Sequence, residues 1–228
     1  KFFANTYIIY SKNHEYISTN SIVSQNYSQS ENIIIKDKNF LLFSSNIDKY
    51  FKPILTNIKL TIGGTKSNFQ NIVNNSDLRT VINSSFNYGF ELRSSFKDFL
   101  NFNIGSKWEY NEVKSTLINS YNENNSFIDL HFILNKKINF QLETERYYNS
   151  NLDKKNNKYY FMDLELNYVP NKNKLSFSIL ANNLFNTKTF KNYLVDDVSI
   201  SKTEYRLLPR YILLKIDFRF WNLIKFVN

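Results

Sequence analysis

Asp129 and His131 stand two residues apart in SFIDLHFIL, so an extended backbone puts both side chains on one face of a strand. A carboxylate beside an imidazole could polarise a water for hydrolysis. Two acidic pairs follow at the same spacing, Glu143 with Glu145 and Asp163 with Glu165. Paired carboxylates at a fixed separation could serve as acid and base on a glycosidic bond. No motif sets that separation, and no second acidic pair at a rim accompanies Asp129 and His131. The plainer reading is a strand face lined with ionisable groups, with no catalytic residue, no cofactor and no metal. His14 lies in a Tyr- and Asn-rich stretch and reads as solvated. IGGTK lacks the glycine spacing of a phosphate loop. The absence of cysteine from the sequence removes disulfides, thiolate metal sites and cysteine nucleophiles together.

The elements that carry these pairs read as strands of period two. FLNFNIGSKWEYNE sets Leu100, Phe102, Ile104, Trp108 and Tyr110 against Asn101, Asn103, Lys107 and Glu109. TVINSSFNYGFELRSSF sets Ile82, Phe86, Tyr88, Phe90 and Leu92 against Asn83, Asn87, Glu91 and Arg93. KINFQLETERYY, YYFMDLELNYV and RYILLKIDFRF repeat the split, the last placing Lys215, Asp217 and Arg219 opposite Ile212, Leu214, Ile216, Phe218 and Phe220. About ten such strands are expected, longer than the usual globular strand of roughly 5–6 residues.

Composition agrees: 21 Phe and 16 Tyr stand against only 4 Gly and 3 Pro. No run of about 18 apolar residues exists, which excludes a spanning helix. The mean hydropathy of −0.44 would fit a soluble protein, but barrel strands evade that test, because half of each strand faces a polar lumen. The net charge of +9 is scattered among acids along the strands and forms no stripe, so no nucleic-acid partner is expected. KFFANTYIIYSKN carries no signal-peptide pattern, so a leader was removed or the chain begins mid-protein.

Connections alternate. Short turns are expected at Phe96–Phe99, Asn135–Lys137 and Pro170–Lys174, and long loops at GGTKSNFQNIVNNSD, EVKSTLINSYNENNS, NSNLDKKNNK and NTKTFKNYLVDDVSISKTE. HEYISTNSIVSQNYSQSENIIIKDKN reads as another long loop or as a strand extension above a membrane. Tyr147, Tyr148, Tyr159, Tyr160, Phe96 and Phe99 fit interfacial girdles. The fold expected is all-β, an antiparallel up-and-down transmembrane β-barrel. Its polar face would be lumenal, bearing Glu91, Arg93, Lys107, Glu109, Asp129, His131, Glu143, Glu145, Asp163, Glu165, Lys215, Asp217 and Arg219. The alternative is a soluble antiparallel sheet with that face in water, whose long aromatic face would still need a cover.

Two segments carry a family likeness. LSFSILANNLFNTKTF resembles the penultimate strand of TonB-dependent outer-membrane receptors and the turn after it, here Asn183, Leu184, Phe185 and Asn186. EYRLLPRYILLKIDFRF resembles their last strand, with its terminal aromatic at Phe220. The likeness is specific over about the last fifty residues. It implies that residues 1–220 are about ten C-terminal strands of a barrel of about 22 strands with a plugged lumen, and that 221–228 form a short extension, a departure from the family's aromatic terminus. It further implies the outer membrane of a Gram-negative bacterium, with lipid, TonB and a surface lipoprotein lid as partners. Uptake of an oligosaccharide, peptide or metal chelate would follow, as in SusC-like transporters, with Ser115–Ser126, Asn149–Lys158 and Thr187–Thr203 contributing contacts. Two rival functions are a structural barrel subunit of a secretion or motility assembly and a self-contained small barrel with surface hydrolase activity.

Overall fold

The computed structural model describes residues 2–94, 99–170 and 175–218. Arg219, Phe220, the 221–228 extension, Phe96 and most of the expected turns at 96–99 and 170–174 lie outside the described residues. The elements are β1 (Phe2–Val23), β2 (Ser28–Phe51), β3 (Thr56–Val73), β4 (Arg79–Ser94), β5 (Leu100–Lys114), β6 (Ile118–Ile133), β7 (Ile138–Asn149), β8 (Lys158–Tyr168), β9 (Leu175–Asn182), β10 (Thr189–Val195), β11 (Ile200–Arg206) and β12 (Tyr211–Phe218), with one 3-10 turn at Lys52–Ile54. Ten strands form one antiparallel sheet in the order β1-β2-β3-β4-β5-β6-β7-β8-β9-β12. The sheet is not closed, and β10 with β11 forms a separate two-stranded sheet.

Each alternating run becomes a strand because its β-branched and aromatic residues suit a pleated surface. Register then gathers one set of side chains on one face. Leu100, Phe132, Phe140, Leu166, Ile179 and Leu214 form a continuous apolar row across β5 to β12. Nothing among the described residues packs over it, and Ile128, Leu214 and Ile216 stay 46%, 62% and 58% exposed. Along β5 this face is apolar or aromatic from Leu100 to Tyr110, apart from Ser106. That band is about 33 Å along the strand. Aromatic rings contact one another at two heights on the same face. Phe86, Tyr88 and Trp108 meet at the upper level. Phe99, Phe132 and Phe140, and Tyr168 with Phe177, meet at the lower.

The lower turn at Asn135 is closed by its own side chain, whose Oδ1 accepts from Lys137 N at 2.8 Å and Ile138 N at 3.0 Å. The upper connections correct an expectation. Most of GGTKSNFQNIVNNSD and EVKSTLINSYNENNS is strand, since β3 runs to Val73 and β5 to Lys114 with only short turns after them. Alternation continues past the apolar band with polar residues on both faces, and the backbone ladder simply goes on. HEYISTNSIVSQNYSQSENIIIKDKN takes the strand-extension form. There β1 leaves the plane and covers the edge of β3 that β2 has vacated. Tyr16 Oη donates to Gln70 O at 2.6 Å, Ser18 Oγ donates to the same oxygen at 2.7 Å, and Asn20 and Ser21 pair in parallel with Ile72 and Val73. The bend lies at Asp37, whose φ of 63° breaks the ladder opposite His14.

Candidate functional site beneath an infolded hairpin

The opposite face is polar, and the register decides which groups meet. Arg93, Asn103, Asp129, Glu143 and Asp163 form one row from β4 to β8. Asp129, Glu143 and Asp163 are therefore direct cross-strand neighbours, an arrangement that like charges disfavour in a sheet. His131 lies in the next row beside Asn101, Gln141 and Glu165. Lys107 and Glu109 share this face on β5, and Glu91 and Glu145 flank Gly105 and Phe127. Most of these carboxylates are met by local donors. Asn103 donates to Asp129 at 3.4 Å, Gln141 to Glu143 at 2.5 Å, Asn167 to Glu165 at 2.9 Å and Asn111 to Glu109 at 3.1 Å. Arg93 pairs with Glu91, and Lys215 with Asp217, each at 3.0 Å. Every expected polar-face residue among the described ones thus shares a single face. No group of three or more metal-ligating side chains occurs among them.

What the sequence reading missed lies on top of that face. The segment Thr187–Thr203, expected as a loop, holds β10 and the first part of β11, a hairpin that folds back across the sheet. Phe190 packs its ring against Tyr147, Tyr159 and Phe161, with centroids 5.6, 5.0 and 6.3 Å away. Tyr193 meets Tyr121 of β6 edge-on at 6.4 Å. The tip reaches β3 and β4, where Asp197 forms an ion pair with Arg79 and accepts from Asn71 Nδ2 at 2.6 Å. Arg79 Nε also donates to Asn71 Oδ1 at 2.8 Å. Burial pushes the Asp197 carboxyl above the usual range and Asp196 adds to this, while Asn71 and Arg79 pull the other way.

This geometry corrects the girdle expectation for Tyr147 and Tyr159. Strict alternation cannot turn both members of a Tyr-Tyr pair outward, so Tyr148 and Tyr160 take the apolar face while Tyr147 and Tyr159 hold the hairpin. The space left below the hairpin is a cavity of about 300 Å³, walled by Lys107, Glu109, Glu123, Tyr147, Tyr159 and Phe190 among others. Glu109 and Glu123 oppose each other directly across β5 and β6, and Asn149 Nδ2 donates to Glu123 at 2.7 Å. Asn149, residues 123–125 within β6 and residues 190–192 of β10 thus line one cavity.

The turn Asn183–Asn186 ties the hairpin's two ends together. Asn183 and Asn186 have φ of 52° and 56°, a left-handed conformation that Asn tolerates better than most residues. Asn183 Nδ2 donates to Thr187 O and to Leu208 O, both at 2.8 Å, and its Oδ1 accepts from Thr187 N at 2.9 Å. Its own N–H donates to Asp163 Oδ1 at 2.7 Å, and Leu184 N donates to Met162 O at 2.8 Å. Phe185 lies on the outer side with its ring 6.3 Å from Tyr160. No protein-family model and no curated protein matches this sequence.

Proposed function

We propose that this chain is the C-terminal part of the β-barrel of a TonB-dependent outer-membrane transporter, SusC-like in type. The observation that carries the reading is the uncovered apolar face. A ten-stranded sheet with a continuous aliphatic band between two aromatic levels has no second layer over it among the described residues. In water such a face requires a cover, whereas in a bilayer lipid supplies it. Tilted at about 40° as barrel strands are, the band of about 33 Å stands about 25 Å high, which suits the outer membrane. The polar face then lines the lumen, and the infolded hairpin narrows it near the upper ends of the strands. Further strands and a plug complete the barrel, TonB supplies the pull, and a surface lipoprotein lid captures the nutrient with the upper hairpins. The chain's own role is to bind, orient and pass cargo, with no covalent step.

The test starts from the full reading frame expressed in a Gram-negative host. The protein is expected in the outer-membrane fraction, resistant to carbonate extraction and with heat-modified mobility. Deleting it, or de-energising TonB, abolishes uptake of one nutrient class. Recovery in the soluble fraction sinks the membrane reading. Outer-membrane location with unchanged uptake and co-purification in a large assembly sinks transport in favour of a structural subunit.

A further inference from the structure

We propose that the β10–β11 hairpin is a displaceable strap over the polar-face cavity, latched at its tip by Asp197 on Arg79 and Asn71. Three observations carry this. First, β10 and β11 pair only with each other, so the strap can lift without breaking a backbone ladder of the main sheet. Second, its hold consists of contacts through side chains at separate points: the rings, a bond from Lys191 N to Tyr159 Oη at 3.2 Å midway, and an ion pair farthest from the roots, at the tip. There the Arg79 and Asp197 side chains are only 15% and 9% exposed, so losing either partner leaves a shielded charge poorly satisfied. Third, Asn183 ties the strap's two roots together as one fixed pivot, while Leu207–Arg210 lies outside any strand and every residue of β11 is exposed. Lifting the strap uncovers Tyr147, Tyr159 and the Glu109–Glu123 pair. The inference stands on the sheet geometry alone and holds whatever covers the apolar face.

Because the sequence has no cysteine, single thiols report on the strap in the full chain. Val195→Cys places one at a position 9% exposed, and Ile200→Cys places a control at a position 56% exposed on the same hairpin. A bulky maleimide is expected to label position 195 at least about tenfold more slowly than position 200, since labelling there requires local opening. Adding Asp197→Ala or Arg79→Ala brings position 195 to within about threefold of the control while position 200 is unchanged and the β-sheet circular dichroism is retained. Where one of these variants does not fold, Asn71→Ala, which removes one bond to the same carboxylate, is expected to raise the rate at position 195 in the same direction. Equal rates at the two positions without tip substitutions would show that the strap is not closed. A rate at position 195 unmoved by every folded tip variant would show that the tip is no latch. Either result overturns the proposal.

Discussion

Asn183 does two jobs at once: it accepts a left-handed backbone, and its side-chain amide clamps Thr187 and Leu208 across the root of the strap. Asn183→Ala loses both and is expected to cost about 2 kcal/mol of stability. Asn183→Gly keeps the conformation and is expected to recover up to about half of that loss. Urea melts of the parent and both variants check the order. Asp197 makes the second prediction at this scale. Its carboxyl is raised by burial and by Asp196 in the closed strap, so the closed form binds the proton more tightly than an open, solvated one. Closure therefore strengthens as pH falls through the range of that group and weakens as pH rises. Arg79 and Asn71 are the facing groups, and they reduce this trend without reversing it. Intrinsic-rate-corrected amide protection in Thr189–Val195 is expected to rise as pH falls through the range in which Asp197 takes up its proton, and Asp197→Asn is expected to flatten that slope.

At the scale of elements, period-two alternation was enough to read most strands of the main sheet and to gather Glu91, Arg93, Lys107, Glu109, Asp129, His131, Glu143, Glu145, Asp163, Glu165, Lys215 and Asp217 on one face, because that grouping needs only the pleat. What alternation could not give was where a strand stops once both faces turn polar, and β3 and β5 ran on through stretches read as loops. The strap was equally hidden. TFKNYLV and ISKTEYR around VDDVS carry a weak hairpin signal, yet nothing local says that Asp197 will find Arg79, which lies 118 residues away. Packing on the polar face adds a prediction of its own. A Cβ on Gly105 would lie 2.6 Å from Phe127 Cζ and 2.9 Å from Phe90 O, so the ring occupies the space that glycine leaves. Gly105→Ala must displace that ring and press on a backbone oxygen, and is expected to cost about 1–3 kcal/mol in a urea melt. Gly105→Ala with Phe127→Ala relieves the ring clash and should show a positive coupling in a double-mutant cycle.

For the whole molecule, the two faces assign opposite fates to neighbouring residues of β12. Under the membrane reading, Ile216→Arg puts a charge against lipid and is expected to cost about 2–4 kcal/mol in vesicle-reconstituted unfolding. Lys215→Ala, one residue away on the polar face, is expected to stay within about 1 kcal/mol, since it removes only the partly exposed pair with Asp217. A soluble sheet would show no such lipid-dependent contrast. The distance in sequence between Arg79 and Asp197 also orders assembly in time. Nearly every other pairing joins strands that are neighbours along the chain, and the β9–β12 contact needs only the strap's own roots. The tip cannot dock until β3 and β4 stand in register, six and five strands away from β9 across the sheet. Strap protection in pulse-labelled refolding should therefore appear last, which makes a closed hairpin a timer for completion of the wall it leans on.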